Sequence, residues 1–227
     1  MKPVFIFNEN VGKFDDICRE LGSPESLIGP SLAIVTGSAG RGKSEASKHY
    51  CAGNGAIYIA PLLTRTAIML IREICFELCK LRPFRSEEIL ALIAKEMSQE
   101  RQLIIIDEAD LLSLHVLEML RNISEMYSFP ILLIGEDGRL DSKIASRRRL
   151  SSRVRRKMEF GPITQTDVAQ FFKKSLDVKV TAEVCAFIHR SCEGNWRPLL
   201  VRAAALERAL KASGKVEISM DLAREVT

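Results

Sequence analysis

The chain has 227 residues, 47% hydrophobic and 27% charged, with a formal net charge of +4. That length suits one α/β core with a small appendage, and the composition suits a soluble globule rather than a disordered or fibrous chain. The longest apolar runs, such as Leu103–Ile106, are strand-sized and far short of a membrane span.

The opening residues meet an acid at Glu9, too early for a secretory signal, so the expected compartment is the cytoplasm. A lead-in over residues 1–30 contains a helix around Lys13–Leu21. Ser31–Thr36 is a short apolar, β-branched run ending in a glycine-rich turn, which reads as a buried strand. A helix starts over Ser44–Tyr50. Ala56–Ala60 is a second strand, closed by Pro61. Thr64–Lys80 carries Ile71, Ile74, Cys75 and Leu78 at helical spacing, and Pro83 stops it. Ser86–Ser98 is a further helix with Ser86 as its cap.

Leu103–Ile106 is a fully apolar strand running into Asp107-Glu108. Leu111–Met126 is helical, with Val116, Met119, Leu120 and Ile123 on one face, and Pro130–Ile134 is another strand. Strands alternating with helices predict a parallel sheet with helices on both faces. After Pro162 the strand signals cease, and Thr164–Ser175, Ala182–Ser191 and Arg197–Lys211 read as helices. The predicted organisation is an α/β nucleotide-binding core over residues 1–161 and a small helical lid over 162–227. The six cysteines (Cys18, Cys51, Cys75, Cys79, Cys185, Cys192) lack metal-type spacing and read as reduced thiols.

The strongest chemical signal is Gly37-Ser38-Ala39-Gly40-Arg41-Gly42-Lys43-Ser44, a match to G-x-x-x-x-G-K-[ST] between a strand and a helix. The glycines let the backbone curl until its N–H groups face phosphate oxygens, and the helix that follows adds its positive end. Lys43 would reach the β- and γ-phosphates, and the Ser44 hydroxyl would bind Mg²⁺. A buried strand also delivers Asp107 to its carboxyl end, where it would hold Mg²⁺ through water. The next residue, Glu108, suits polarisation of an attacking water. That glutamate argues for hydrolysis over a small-molecule kinase. The lack of an Asn-Lys-x-Asp sequence favours ATP over GTP.

From Arg147 to Lys157 there are seven Lys/Arg and no acid. Three roles fit such a run. One arginine could enter a neighbouring subunit's ATP site as a finger. The others could contact nucleic-acid phosphates without reading sequence. The run could also be a solvated basic face. No aromatic interleaves the arginines, so base stacking is not indicated. In Gly194-Asn195-Trp196-Arg197, Arg197 opens a lid helix, from which a guanidinium could reach the γ-phosphate. The same segment could equally be a helix cap with Trp196 in the core. His49, His115 and His189 sit in helical stretches and read as non-catalytic.

Together these residues resemble the AAA+ ATPases, a P-loop NTPase family, from about Ser31 to Leu210. Gly37–Ser44 is similar to Walker A, Leu103–Glu108 to Walker B, and Gly194-Asn195-Trp196-Arg197 to sensor 2. Leu150-Ser151-Ser152-Arg153-Val154 with Phe160-Gly161-Pro162-Ile163 looks like the finger-bearing segment. That resemblance makes Arg153 the first finger candidate and Arg149 the second. Ile134-Gly135-Glu136-Asp137-Gly138-Arg139-Leu140 looks most like the phage and transposon target-selection ATPases of the Mu B type. Glu136 stands where the superfamily places sensor 1, often as Asn or Thr. That type also carries an N-terminal DNA-binding appendage, for which the residues before the P-loop strand are too few.

The resemblance implies ATP and Mg²⁺ as cofactors, with nucleotide held between subunits of a homo-oligomeric filament or ring. It also implies assembly on double-stranded DNA without sequence preference, and recruitment of a transposase. Arg147, Arg148, Arg155, Arg156 and Lys157 are the expected DNA-contacting residues. A replication-initiation or helicase-loader ATPase is the alternative within the superfamily.

Overall fold

A computed structural model describes residues 1–60, 66–214 and 217–226. Pro61, and residues 64 and 65 of the helix read as Thr64–Lys80, lie outside the described residues. The chain divides into two compact units. One holds Val11–Ser38 and Lys43–Phe160; the other holds Met1–Asn10, Ala39–Gly42 and Gly161–Thr227.

In chain order the first unit contains α1 (Glu9–Gly22), β1 (Leu32–Thr36), α2 (Lys43–Asn54), β2 (Ile57–Ile59), α3 (Ala67–Cys79) and α4 (Ser86–Gln99). It continues with β3 (Ile104–Ile106), α5 (Leu114–Tyr127), β4 (Ile131–Ile134), α6 (Arg139–Ala145), α7 (Arg148–Ser151) and β5 (Val154–Glu159). The strands form one five-stranded sheet in the order β2-β3-β4-β1-β5. Every pairing is parallel. Strand alternation sorts the apolar residues onto two faces. Leu32, Ile34, Ile104, Ile106, Ile131 and Leu133 share a core with Ile74, Ile93 and Leu120 from α3, α4 and α5. Their neighbours Ala33, Val35, Ile105, Leu132 and Ile134 are buried as well. Phe14 of α1 meets the ring of Tyr50 edge-on at 6.2 Å and that of Phe160 at 5.9 Å. Full burial on both faces is what turns these strands into unbroken apolar runs.

The fifth strand departs from the sequence reading, which assigned no strand to the basic run. Val154–Glu159 pairs with β1 at the sheet edge, Arg156 opposite Ala33 and Lys157 opposite Ile34. An edge strand is hydrogen-bonded on one side only, and none of its six residues is fully buried. Charged side chains are tolerated there and oppose further strand addition, so the usual apolar signal of a strand is missing.

The second unit contains α8 (Gln165–Leu176), α9 (Ala182–Ser191), α10 (Trp196–Ser213) and α11 (Met220–Val226). Thr164 starts α8 with a capping box: its side chain accepts from the Asp167 N–H, and Asp167 accepts from the Thr164 N–H. Phe171, Phe172, Ile188, Leu199, Ala203 and Leu206 build its core, which Ile6 also joins. The lead-in was expected to belong to the α/β core. Its first ten residues instead pack with these helices: the Lys2 N–H donates to Ser175 O at 2.9 Å. Among the described residues, no helix is long and apolar enough to cross a membrane.

Candidate nucleotide site

In the sheet-bearing unit, β1 ends at the start of the P-loop, and the loop turns at once. Gly37 has φ +149, and a Cβ there would lie 2.8 Å from Phe160 O. The Lys43 ammonium donates to Gly37 O at 2.5 Å and Ser38 O at 3.0 Å. It is thus folded over the loop it belongs to, where a phosphate oxygen would be the stronger, charged acceptor.

β3 carries Asp107 to its carboxyl end, as expected. The carboxylate is 4% exposed and has a donor on each oxygen: the Glu108 N–H to Oδ1 at 2.9 Å, and the Tyr58 hydroxyl to Oδ2 at 2.7 Å. Parallel pairing explains the second contact. Tyr58 lies opposite Ile105, so period-two alternation puts its side chain on the same face as Asp107. Burial, then the bond to Asp107, pushes the Tyr58 phenol well above its ordinary pKa, while a hydrogen bond from Ser44 opposes the shift. Glu108 is exposed and left-handed at φ +51, ψ +33. A non-glycine residue held there carries backbone strain, of the kind that collects at functional turns. Ser44 and Asp107 supply hard oxygen donors beside a lysine and a glycine turn, which fits Mg²⁺ with a polyphosphate.

The turn after Glu108 is tied to the end of β4. Asp110 Oδ1 accepts the Glu136 N–H at 3.1 Å, and Lys143 donates to the carbonyls of Asp110 and Leu112. The Glu136 carboxylate pairs with Arg139 at 2.8 Å.

The crown of the P-loop, Ala39–Gly42, packs with the start of α10. Asn195 caps that helix, its Oδ1 accepting the Arg197 N–H at 3.0 Å, while its Nδ2 donates to Ala39 O at 3.0 Å. The Trp196 N–H donates to Gly40 O at 3.0 Å. Arg41 donates to Glu193 O at 2.9 Å and also to Gly194 O. The Trp196 ring packs edge-on against Phe171 at 6.0 Å, so the motif is both cap and core. Arg197 is exposed.

The basic run divides by what each guanidinium touches. Arg148 and Arg149 are exposed. Arg147 faces Glu118 at 4.0 Å, Arg153 pairs with Glu125 at 2.7 Å, Arg156 with Glu20 at 2.8 Å, and Lys157 faces Asp141 at 4.0 Å. Arg155 differs from the expectation that grouped it with DNA-contacting residues. Its Nε donates to Pro30 O at 2.7 Å, and its Nη2 to Ser26 O at 3.2 Å and Ile28 O at 2.5 Å. Those carbonyls precede β1, so Arg155 works as an internal staple.

Motif spacing exposed the P-loop and Asp107-Glu108 but missed Tyr58, Asp110 and the partner of Asn195, which it named only within the lid-helix motif. Their partners lie 49, 26 and 156 residues away in sequence. The one local hint was Tyr58, a lone hydroxyl in an otherwise aliphatic strand.

A family model described as AAA domain matches residues 28–144. The ATP-dependent target DNA activator B of Escherichia phage Mu is 29% identical over 146 residues, 61% of this chain and 47% of that protein. The chain thus spans about half the length of the curated relatives it matches. Among solved structures, the Aeropyrum pernix ORC2 protein in its ADP form superposes with TM-score 0.73 at 15% identity, covering 95% of this chain and 67% of that one. Pyrobaculum aerophilum CDC6P gives TM-score 0.72 at 15% identity, covering 99% and 69%. At such identities these structures speak for the fold alone.

Proposed function

Because the chain belongs to the AAA domain family, we propose that it is an ATPase that assembles on double-stranded DNA and activates or directs a DNA transposase. The observation that carries this reading is the match to a phage protein named ATP-dependent target DNA activator B. The site chemistry supports it. The amides of Gly37–Ser44 and the Lys43 ammonium bind the phosphates. Ser44 and Asp107 would hold Mg²⁺, which when bound would supply charge neutralisation at the phosphates. Glu108, exposed and next to Asp107, orients and polarises the attacking water. The main chain next to Arg197 already binds the P-loop crown, which suits its guanidinium to a phosphate of bound nucleotide. Glu136, whose N–H is held by Asp110, is the candidate sensor at the end of β4.

Nucleotide state then governs self-association, with Arg153, or Arg149, acting as a finger on a neighbouring copy. Arg147, Arg148, Arg156 and Lys157 supply phosphate contacts, and Arg155 is reserved for the fold. Such contacts give affinity without sequence preference.

The test is co-sedimentation of the protein with duplex DNA of arbitrary sequence, with ATP or ADP, over a range of salt. ATP should drive binding and ADP should not. Arg148→Ala should weaken binding and flatten the salt dependence by about 0.9 in log–log slope, one phosphate contact. Arg155→Ala should instead lower the melting temperature. Equal DNA binding in both nucleotide states would remove the switch.

A further inference from the structure

Tyr58 is the residue whose placement the nucleotide chemistry leaves unused. Its hydroxyl donates to Asp107 Oδ2 at 2.7 Å. Lys48, one helical turn beyond Ser44 on α2, stands 6.0 Å from the centre of its ring. One phenol thus holds a group read as a Mg²⁺ ligand, from a strand that carries none.

We propose that Tyr58 is a positioning residue for the Asp107 carboxylate of the Ser44–Asp107 metal-ligand pair, acting through the hydrogen bond its hydroxyl donates to Oδ2. The inference rests on the reading that this pair holds Mg²⁺ beside a bound nucleotide.

The Asp107 carboxylate is what the phenol fixes. With the phenol proton directed at Oδ2, and the Glu108 N–H at Oδ1, both carboxylate oxygens are fixed in place while each keeps a lone pair for the metal or its water. Groups that orient ligands in this way commonly change metal affinity by about 10–100-fold when removed. Tyr58→Phe deletes one oxygen and keeps the ring that packs in β2.

The experiment titrates Mg²⁺ against ADP binding to the full chain, read by calorimetry or a fluorescent ADP analogue, with a parallel arm in EDTA. Wild type should bind ADP more tightly as Mg²⁺ is added. Tyr58→Phe should need about 10–100-fold more Mg²⁺ for the same gain, while its ADP affinity in EDTA stays within about twofold of wild type. Ile57→Val, which trims a β2 neighbour outside the Tyr58–Asp107 contact, should leave the Mg²⁺ requirement unchanged. Tyr58→Phe and Asp107→Asn should also be less than additive in that requirement, as members of one network are. An unchanged Mg²⁺ midpoint in Tyr58→Phe overturns the positioning role. So does an equal loss in Mg²⁺ and in EDTA, because it reports strand packing alone. A wild-type chain that binds no ADP in either arm instead sinks the nucleotide reading, and this inference with it.

Discussion

The Asn195 side-chain amide donates to Ala39 O at 3.0 Å, joining the cap of α10 to the crown of the P-loop across 156 residues of sequence. The contact leaves no room beneath it. A Cβ on Gly40 would lie 2.0 Å from Asn195 Oδ1, and Gly40 has φ +79. The C-terminal helices therefore shape the loop's backbone directly, through a contact that motif spacing does not reveal.

Gly40→Ala should abolish ADP binding and lower the melting temperature by a few degrees, since left-handed backbone costs a side-chain-bearing residue about 1–2 kcal/mol. Asn195→Ala should weaken ADP binding by about fivefold, one neutral hydrogen bond. The double variant should recover part of what Gly40→Ala loses, because the clash is relieved while the φ strain is not. Calorimetry and thermal melts on the three proteins check this order.

Glu108 combines a catalytic position with strained backbone at φ +51. Glu108→Gln should bind ATP normally while phosphate release falls by about 10²-fold or more, with ATP-bound assemblies accumulating. Glu108→Gly should lose turnover equally yet melt no lower than wild type, because glycine adopts that φ without penalty. Rapid turnover in the glutamine variant would move the water-activating role elsewhere.

Arg153 pairs with Glu125 at 2.7 Å, both of them half-exposed. Such a pair contributes little to stability, about 0–1 kcal/mol, so the guanidinium is readily given up to another partner. Arg153→Ala should retain ATP binding and reduce hydrolysis in the assembled state by about 10³-fold. Glu125→Ala should leave hydrolysis intact. If turnover is normal without Arg153, Arg149 is the next residue to substitute.

Asp15 is buried, and its Oδ1 has no hydrogen-bond partner among the described residues. Burial raises its carboxyl pKa above the ordinary value, only partly offset by Arg19. An acid raised in the folded state favours folding when protonated, and that contribution is lost as pH rises through the folded pKa. Asp15→Asn should therefore melt higher than wild type near pH 7, and the difference should close as pH falls below about 4, where the unfolded carboxyl is also protonated. A difference independent of pH would show that charge is not the cause.

By itself the sequence determined the alternation of apolar strands and helices, the P-loop and the Asp107-Glu108 pair. Each of these is written in short-range spacing, which a chain carries whether folded or not. Tertiary structure alone decided the rest. It made an edge strand of the polar Val154–Glu159, whose one-sided pairing removes the need for an apolar face. It turned Arg155 inward onto three carbonyls while leaving Arg148 outside. It also set Tyr58 against Asp107 and Asn195 against Ala39. Those partners are fixed by sheet register and helix docking, and a hydrogen bond of about 3 Å between residues far apart in sequence exists only once the chain has folded.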